Sequence, residues 1–386
     1  MLTTTELCYV MFFQKSRVYL KMTLFLGSWL AQLSILPPAH AQDLKKIDSL
    51  KKELSIHGDS YEVFWGLAYE IFDSNSEEAL SYSEKAFALA KRNDVDSLIV
   101  RSGRLTGQLL RRVHRSEEAI KVLEEVKGIA ERVGMNLELS RILNALAVCH
   151  TFRAEYDKAL EYNFQSLVLR EKEGHKDRIA LALMNIGLTH YKMGSFDLAL
   201  DYYLKSKDML EQAGTGADHD LLINMGLCLG AVSRFKESQE YFEKALALCG
   251  DQCSKEFIMQ AQYGLGNSLF SQREVETSKK HFIVSYELSV ALGDRRFQLE
   301  SLLRLAEAAL KTNQISSAKV YLELVSGIPE KEHYREILKT FYRLEAGFYS
   351  ASNDFKKASY FFQKVNEVND SIFDADVIKN LTRVQT

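Results

Sequence analysis

Every 40 residues the chain repeats a three-point pattern: a small residue, a larger residue four places on and a third landmark three further. It recurs at Ala79/Ser83/Ala86, Ala119/Leu123/Val126, Ala159/Asn163/Ser166, Ala199/Tyr203/Ser206, Ser238/Phe242/Ala245, Ser278/Phe282/Ser285, Ala318/Leu322/Val325 and Ala358/Phe362/Val365. The seven intervals are 40, 40, 40, 39, 40, 40 and 40 residues. Spacings of four and seven fall on one face of a helix. A second small-residue landmark precedes each but the first by twelve residues, as in Asn185-Ile186-Gly187, Asn224-Met225-Gly226 and Gly264-Leu265-Gly266, and in the first unit Gly66 lies one place early. Small residues at matched places let two helix backbones approach where they cross, and a period of this length predicts a stack of helical units.

These landmarks resemble the tetratricopeptide repeat, with L-G-x-x-Y on the first helix of a pair and A-x-x-x-F on the second. The fullest copy runs from Leu183-Met184-Asn185-Ile186-Gly187 through Tyr191, Gly194 and Phe196 to Ala199-x-x-x-Tyr203. The resemblance covers residues 59–377 and implies an all-α fold, a right-handed α-solenoid of about eight helix-turn-helix units. Two departures stand beside it. The family unit is about 34 residues, so extra residues must lengthen helices or loops. The prolines that usually close a unit are missing, since the three prolines are Pro37, Pro38 and Pro329. Longer armadillo-like or HEAT-like helix pairs are the alternative, and both are α-solenoids.

Composition agrees with long helices. Of 386 residues, 46% are hydrophobic and 26% charged, enough for a continuous core. A net charge of −3 gives no global attraction to nucleic acid or anionic membrane.

Residues 1–41 have different physics. Lys15, Arg17 and Lys21 precede a mainly apolar run from Met22 to Leu36, and Ala39-His40-Ala41 supplies a small-x-small cleavage pattern. This reads as a secretory signal cleaved before Gln42, with Met11 as an alternative start. The run is short for a membrane span, which needs about 20 apolar residues. The mature chain is therefore expected to be periplasmic or secreted. Leu44, Ile47, Leu50 and Leu54 predict a lead-in helix over 42–58 that shields one end of the stack. Residues 378–386 are expected to form a C-terminal capping helix. The segment from Asn369 resembles the joint after the repeats of bacterial envelope sensors, where a juxtamembrane helix leads to a histidine kinase or helix-turn-helix output domain.

No catalytic, cofactor or metal-binding constellation emerges. Metalloprotease, phosphate-loop, nucleophile-elbow and calcium-loop motifs are absent from the sequence. Gly214-Thr215-Gly216 lacks a preceding strand and a Lys-Ser/Thr continuation, so it reads as a helix stop. His150 and His190 take the repeat's tyrosine place in adjacent units and read as packed rings rather than a metal pair. Cys249 and Cys253 can meet across Gly250-Asp251-Gln252 as a disulfide or remain separate thiols, whereas Cys149 and Cys228 lie too far apart to bridge.

The surface feature above background is an arginine stripe. Arg101, Arg104, Arg111 and Arg115 fall on one side of a helix, with Gln108 between them and Arg112 beside. By the resemblance, first-helix positions line the concave groove. Arg101, Arg104, Gln108, Arg111 and Arg112 would then point into it, with Arg141 from the next unit and Met184, Tyr191, Ile223, Tyr263 and Phe270 as apolar or aromatic contacts. Such a groove suits a protein or peptide, acidic at the stripe. The competing reading is that the arginines pair with neighbouring glutamates. Arg104→Glu with Arg111→Glu is expected to leave helicity and melting nearly unchanged but to weaken partner capture, with the wild-type interaction falling as salt rises. The expected function is a non-catalytic, exported interaction module forming the sensory half of an envelope signalling system, or a free-standing periplasmic scaffold. Nucleic acid, cofactor and small-molecule substrate are not expected. Membrane contact is expected only through a C-terminal extension or an uncleaved signal.

Overall fold

The structure, a computed structural model, describes residues 38–72, 74–249 and 253–385. The signal-sequence reading falls on residues 1–41 and lies almost wholly outside them. The chain divides after Asp94 into two compact units.

In the first unit, α1 (Pro38–His57) is followed by α2 (Tyr61–Glu70) and α3 (Ser76–Arg92). The lead-in helix thus begins before the predicted cleavage point. A Cβ on Gly66 would stand 3.3 Å from Leu50, so α1 lies directly on α2. Lys51 of α1 also reaches Glu78 of α3 at 3.0 Å.

The second unit holds seven helix pairs: α4 (Asp96–Arg112) with α5 (Ser116–Val133), α6 (Asn136–Phe152) with α7 (Tyr156–Glu173), α8 (Lys176–Lys192) with α9 (Phe196–Ala213), α10 (His219–Ala231) with α11 (Phe235–Cys249), α12 (Lys255–Ser271) with α13 (Val275–Leu292), α14 (Arg295–Lys311) with α15 (Ile315–Ser326), and α16 (Arg335–Ala351) with α17 (Phe355–Gln385). A 3₁₀ turn, Pro329–His333, joins the last two pairs. No strand occurs among the described residues. The extra residues of the unit lie in the helices. First helices reach 17 residues and second helices 18, about 25 Å each.

The turns are correspondingly short. Three residues join the helices of a pair, and the middle one is left-handed in every case, as at His114 (φ 63°), Ala154 (φ 59°) and Arg273 (φ 69°). The third residue donates its N–H back to the preceding helix, Arg115 to the Leu110 carbonyl at 2.8 Å and Glu155 to that of His150 at 2.9 Å. This satisfies carbonyls that a helix end leaves orphaned. Between pairs the same role falls to Gly134, Gly174, Gly214 and Gly293. Gly214 is thus the helix stop read from the sequence, and Asp218 caps α10 by accepting the Leu221 N–H at 2.8 Å. Here residues 214–218 replace the first turn of a first helix, leaving α10 with 13 residues.

Packing follows the repeat. Ala119, Ala159, Ala199, Ser238, Ser278 and Ala318 are fully buried. So are Leu123, Tyr203, Phe242 and Phe282, each fitting where a first helix presents glycine. Buried serines of second helices are satisfied by first-helix carbonyls, Ser166 by Ser140 and Ser206 by Ala180, both at 2.8 Å. At the C-terminal end, α17 runs for 31 residues without a break at 369 or 378.

Candidate functional site

Consecutive first helices touch, α4 with α6, α6 with α8, α10 with α12 and α14 with α16, and together present one face. That face curves inward. Burial holds the Lys192 ammonium below its ordinary value, the charge of Arg296 from three pairs further along adds to this, and Glu300 opposes it.

The arginine stripe separates into two parts. Arg104 Nε donates to Glu138 Oε2 at 2.9 Å, and Arg141 donates to Glu138 Oε1 at 2.8 Å. A second Arg104 nitrogen donates to Gln108 Oε1 at 2.9 Å. Glu138, 7% exposed, is therefore held between two guanidinium groups from adjacent units. Arg104, Gln108 and Arg141 come together around an internal carboxylate. Such an arrangement stiffens the contact between α4 and α6, because a buried charge is tolerated only when paired. The expectation that Arg104→Glu would leave folding unchanged is accordingly corrected: it would set a second carboxylate against Glu138. Arg115 pairs with Glu118 at 2.7 Å outside this cluster.

The second part is open. Arg101 is exposed, and neither it nor Arg111 has a carboxylate partner among the described residues. Arg112 lies half-buried beside them. The Arg111 guanidinium stands 5.7 Å from the centre of the Phe152 ring, and the Lys192 ammonium 5.8 Å from the same ring. Phe152 is 59% exposed. Burial depresses Arg111, the nearby Cys149 opposes this and Arg112 adds to it. Two cations, half-buried Arg111 and exposed Lys192, therefore flank one exposed aromatic ring on the first-helix face. Neither Phe152 nor Lys192 was among the predicted groove residues. Each ends its first helix, one unit apart, in the place that Arg112 holds in α4, and that shared register is the signal that would have found them.

The apolar candidates divide likewise. Met184 and Tyr191 are half-buried and pack on the cluster containing Tyr203, Leu221 and Met225. Tyr263 is half-buried with its ring edge-on to Phe297 at 5.6 Å, and burial raises its hydroxyl pKa. Ile223 and Phe270 do not line the groove: they are 4% and 6% exposed. Ile223 is covered in a cluster with Phe242 and Phe257, and Phe270 packs on Phe282 while Lys311 closes over its ring at 3.9 Å.

His150 and His190 pack as rings. His150 stacks on Tyr162 at 5.5 Å and binds Glu155 through Nδ1 at 2.6 Å, while His190 stacks on Tyr202 at 5.4 Å. No group of three metal-ligating side chains occurs among the described residues. Cys149 and Cys228 are buried free thiols, each pushed up to about 11 by burial, which is unsuited to nucleophilic use. Cys249 and Cys253 are joined, with Cα atoms 5.3 Å apart. No helix of the described residues is long and apolar enough to cross a membrane.

Residues 178–251 match a family model described as tetratricopeptide repeat. No curated protein matches the chain. Among solved structures, the apo form of the quorum sensor NprR from B. thuringiensis is similar with a TM-score of 0.58 at 15% identity, over 91% of this chain and 99% of that one. Aspartyl phosphate phosphatase F from Bacillus subtilis gives 0.53 at 16% identity over 89% and 86%. The Cut9–Hcn1 hetero-tetramer of APC/C gives 0.58 at 16% identity over 82% and 58%. At such identities the likeness is one of fold, and with the family match it makes this chain an α-solenoid of tetratricopeptide-like helix pairs.

Proposed function

We propose that the curved first-helix face captures a protein or peptide segment bearing a carboxylate next to an apolar or aromatic side chain, without catalysing a reaction. The observation that carries this is the flanking of exposed Phe152 by Arg111 and Lys192, neither with a carboxylate within ion-pair distance among the described residues. A partly desolvated guanidinium gains more from a forked carboxylate than a hydrated one does, and the ring beside it gives apolar contact. Arg101 extends the positive edge. The glutamate-bound Arg104 and Arg141 serve as its rigid base.

The reading extends to an exported sensory or regulatory module. Support comes from the basic and apolar order of residues 15–41 and from the quorum sensor that shares the fold along nearly its whole length. Occupancy of the groove would bias the curvature of the stack, which is how a ligand with unequal affinity for two shapes passes on a signal.

The test is selection from a random peptide library with the full chain as bait, followed by anisotropy titration of the enriched peptides. Acidic, aromatic-bearing peptides should emerge, their affinity should fall as salt rises, and Arg111→Glu with Lys192→Glu should weaken it by about tenfold or more. Undiminished binding by that double variant would remove the site from consideration.

A further inference from the structure

In each of four preceding pairs, the second helix carries a large residue at its start and another seven places on, and the next unit covers both. Phe196, Phe235, Val275 and Ile315 are half-buried, and Tyr203, Phe242, Phe282 and Leu322 are almost wholly buried. The cover is a first helix approaching through small residues. Phe242 fits against Gly264 of α12, and the Cys228 thiol of α10 reaches the Phe196 carbonyl at 3.0 Å. On α17 the same two places are Phe355, 67% exposed, and Phe362, 51% exposed. The α17 helix continues as one element to Gln385, so residues 371–385 do not fold back over this face. A solenoid's terminal face is ordinarily polar, because nothing stacks on it.

We propose that a second copy of this chain covers the face, with α17 packed antiparallel on α17 about a two-fold axis near Gln363. The face suits a copy of itself. Phe355, Ala358, Phe362 and Val365 recur at intervals of three and four, the spacing of a helix–helix seam, and an axis near Gln363 sets Phe362 of one copy beside Phe362 of the other. The flank of the seam is self-complementary in charge. Lys356 and Asp370 lie seven residues to either side of Gln363 on the same side of the helix, about 21 Å apart along the axis. Antiparallel pairing sets Lys356 of each copy opposite Asp370 of the other, and both side chains are exposed. Parallel pairing would set lysine against lysine. The interface is isologous and closes at two copies, so it forms no filament. It continues the repeat's own stacking surface.

Sedimentation equilibrium on the full chain, in concentrations up to tens of micromolar, tests this. A dimer is expected. Phe355→Glu with Phe362→Glu should yield a monomer of unchanged far-ultraviolet circular dichroism, because both side chains are exposed. Lys356→Asp should raise the dimer dissociation constant by about tenfold, and adding Asp370→Lys should restore it. A wild-type monomer overturns the proposal and leaves the face to a helix of another protein. A dimer that survives the phenylalanine substitutions overturns it as well. Failure of the charge exchange to restore association overturns the antiparallel arrangement, and this arm stands even where the phenylalanine variant does not fold.

Discussion

The ring of Tyr203 lies against Gly187 so closely that a Cβ there would stand 2.6 Å from it, with the Ala199 carbonyl oxygen at 3.2 Å. Tyr203 is fully buried, so its ring has no open side to swing into. This contact joins the two small-residue landmarks of one unit across the crossing of α8 and α9. It is the physical content of the repeat's spacing: glycine on one helix, a large ring on the other, and alanine where the backbones meet.

Gly187→Ala should therefore destabilise the chain by about 1–3 kcal/mol through overpacking. Gly128→Ala is its control. Nothing lies within 4 Å of a Cβ at Gly128, in the interior of α5, so that substitution should stabilise by about 0.5–1 kcal/mol. Urea unfolding of both variants checks the pair. Equal effects would mean that the crossing does not depend on glycine.

Removing the carboxylate between the two arginines should be costly. Glu138→Ala strands Arg104 and Arg141 and should lower stability by about 3 kcal/mol. Arg104→Glu should also destabilise, whereas Arg111→Glu should leave the melting temperature nearly unchanged because no carboxylate depends on Arg111 among the described residues. Thermal denaturation of the three single variants separates the structural half of the stripe from the half available to a ligand.

Acidification should weaken the fold through two half-buried histidines. Burial lowers the pKa of His190 below its ordinary 6.5, and its Nδ1 has no hydrogen-bond partner among the described residues. Burial also lowers that of His281, with Glu243 opposing and Lys280 adding. A histidine whose folded pKa is depressed leaves the unfolded chain holding more protons between the folded value and 6.5, so stability falls as pH falls through that window. Melting temperature measured from pH 7.5 downward should begin to drop near 6.5, and His190→Phe should flatten part of the slope. Glu155 acts in a separate, lower range. Burial would raise its pKa, but hydrogen bonds from Arg153 and His150 outweigh this and hold it below the usual carboxylate value. Its contribution is lost only as pH falls below about 4.5.

The fold was legible because a repeat states its period many times, and each copy corrects the reading of the others. The site was legible in part. Helix register brought Arg104, Gln108 and Arg141 to one place, yet register says nothing of which partner a cation meets, and Glu138 lies in a different unit from Arg104. Ile223 shares a register position with Arg104 and Met184 but is buried. Longer side chains at that place stay half-buried, while a branched one of medium length is covered by its neighbours. Phe152 was overlooked for the reverse reason: an aromatic residue at a helix end reads as core, and only the curvature of the neighbouring helices leaves its ring uncovered.

The missing first turn of α10 has a mechanical meaning. A stack of identical pairs has translational symmetry, and strain applied at one end is shared equally by every join. The 39-residue interval and the loop at 214–218 break that symmetry near the middle of the seven pairs, and replace a helical turn with two left-handed glycines. A join built on two glycines resists deformation less than a continuous helical turn does. A small rotation at Gly214–Asp218 would therefore shift Lys192, beside Phe152, relative to Arg296 and Glu300, whose charges it feels.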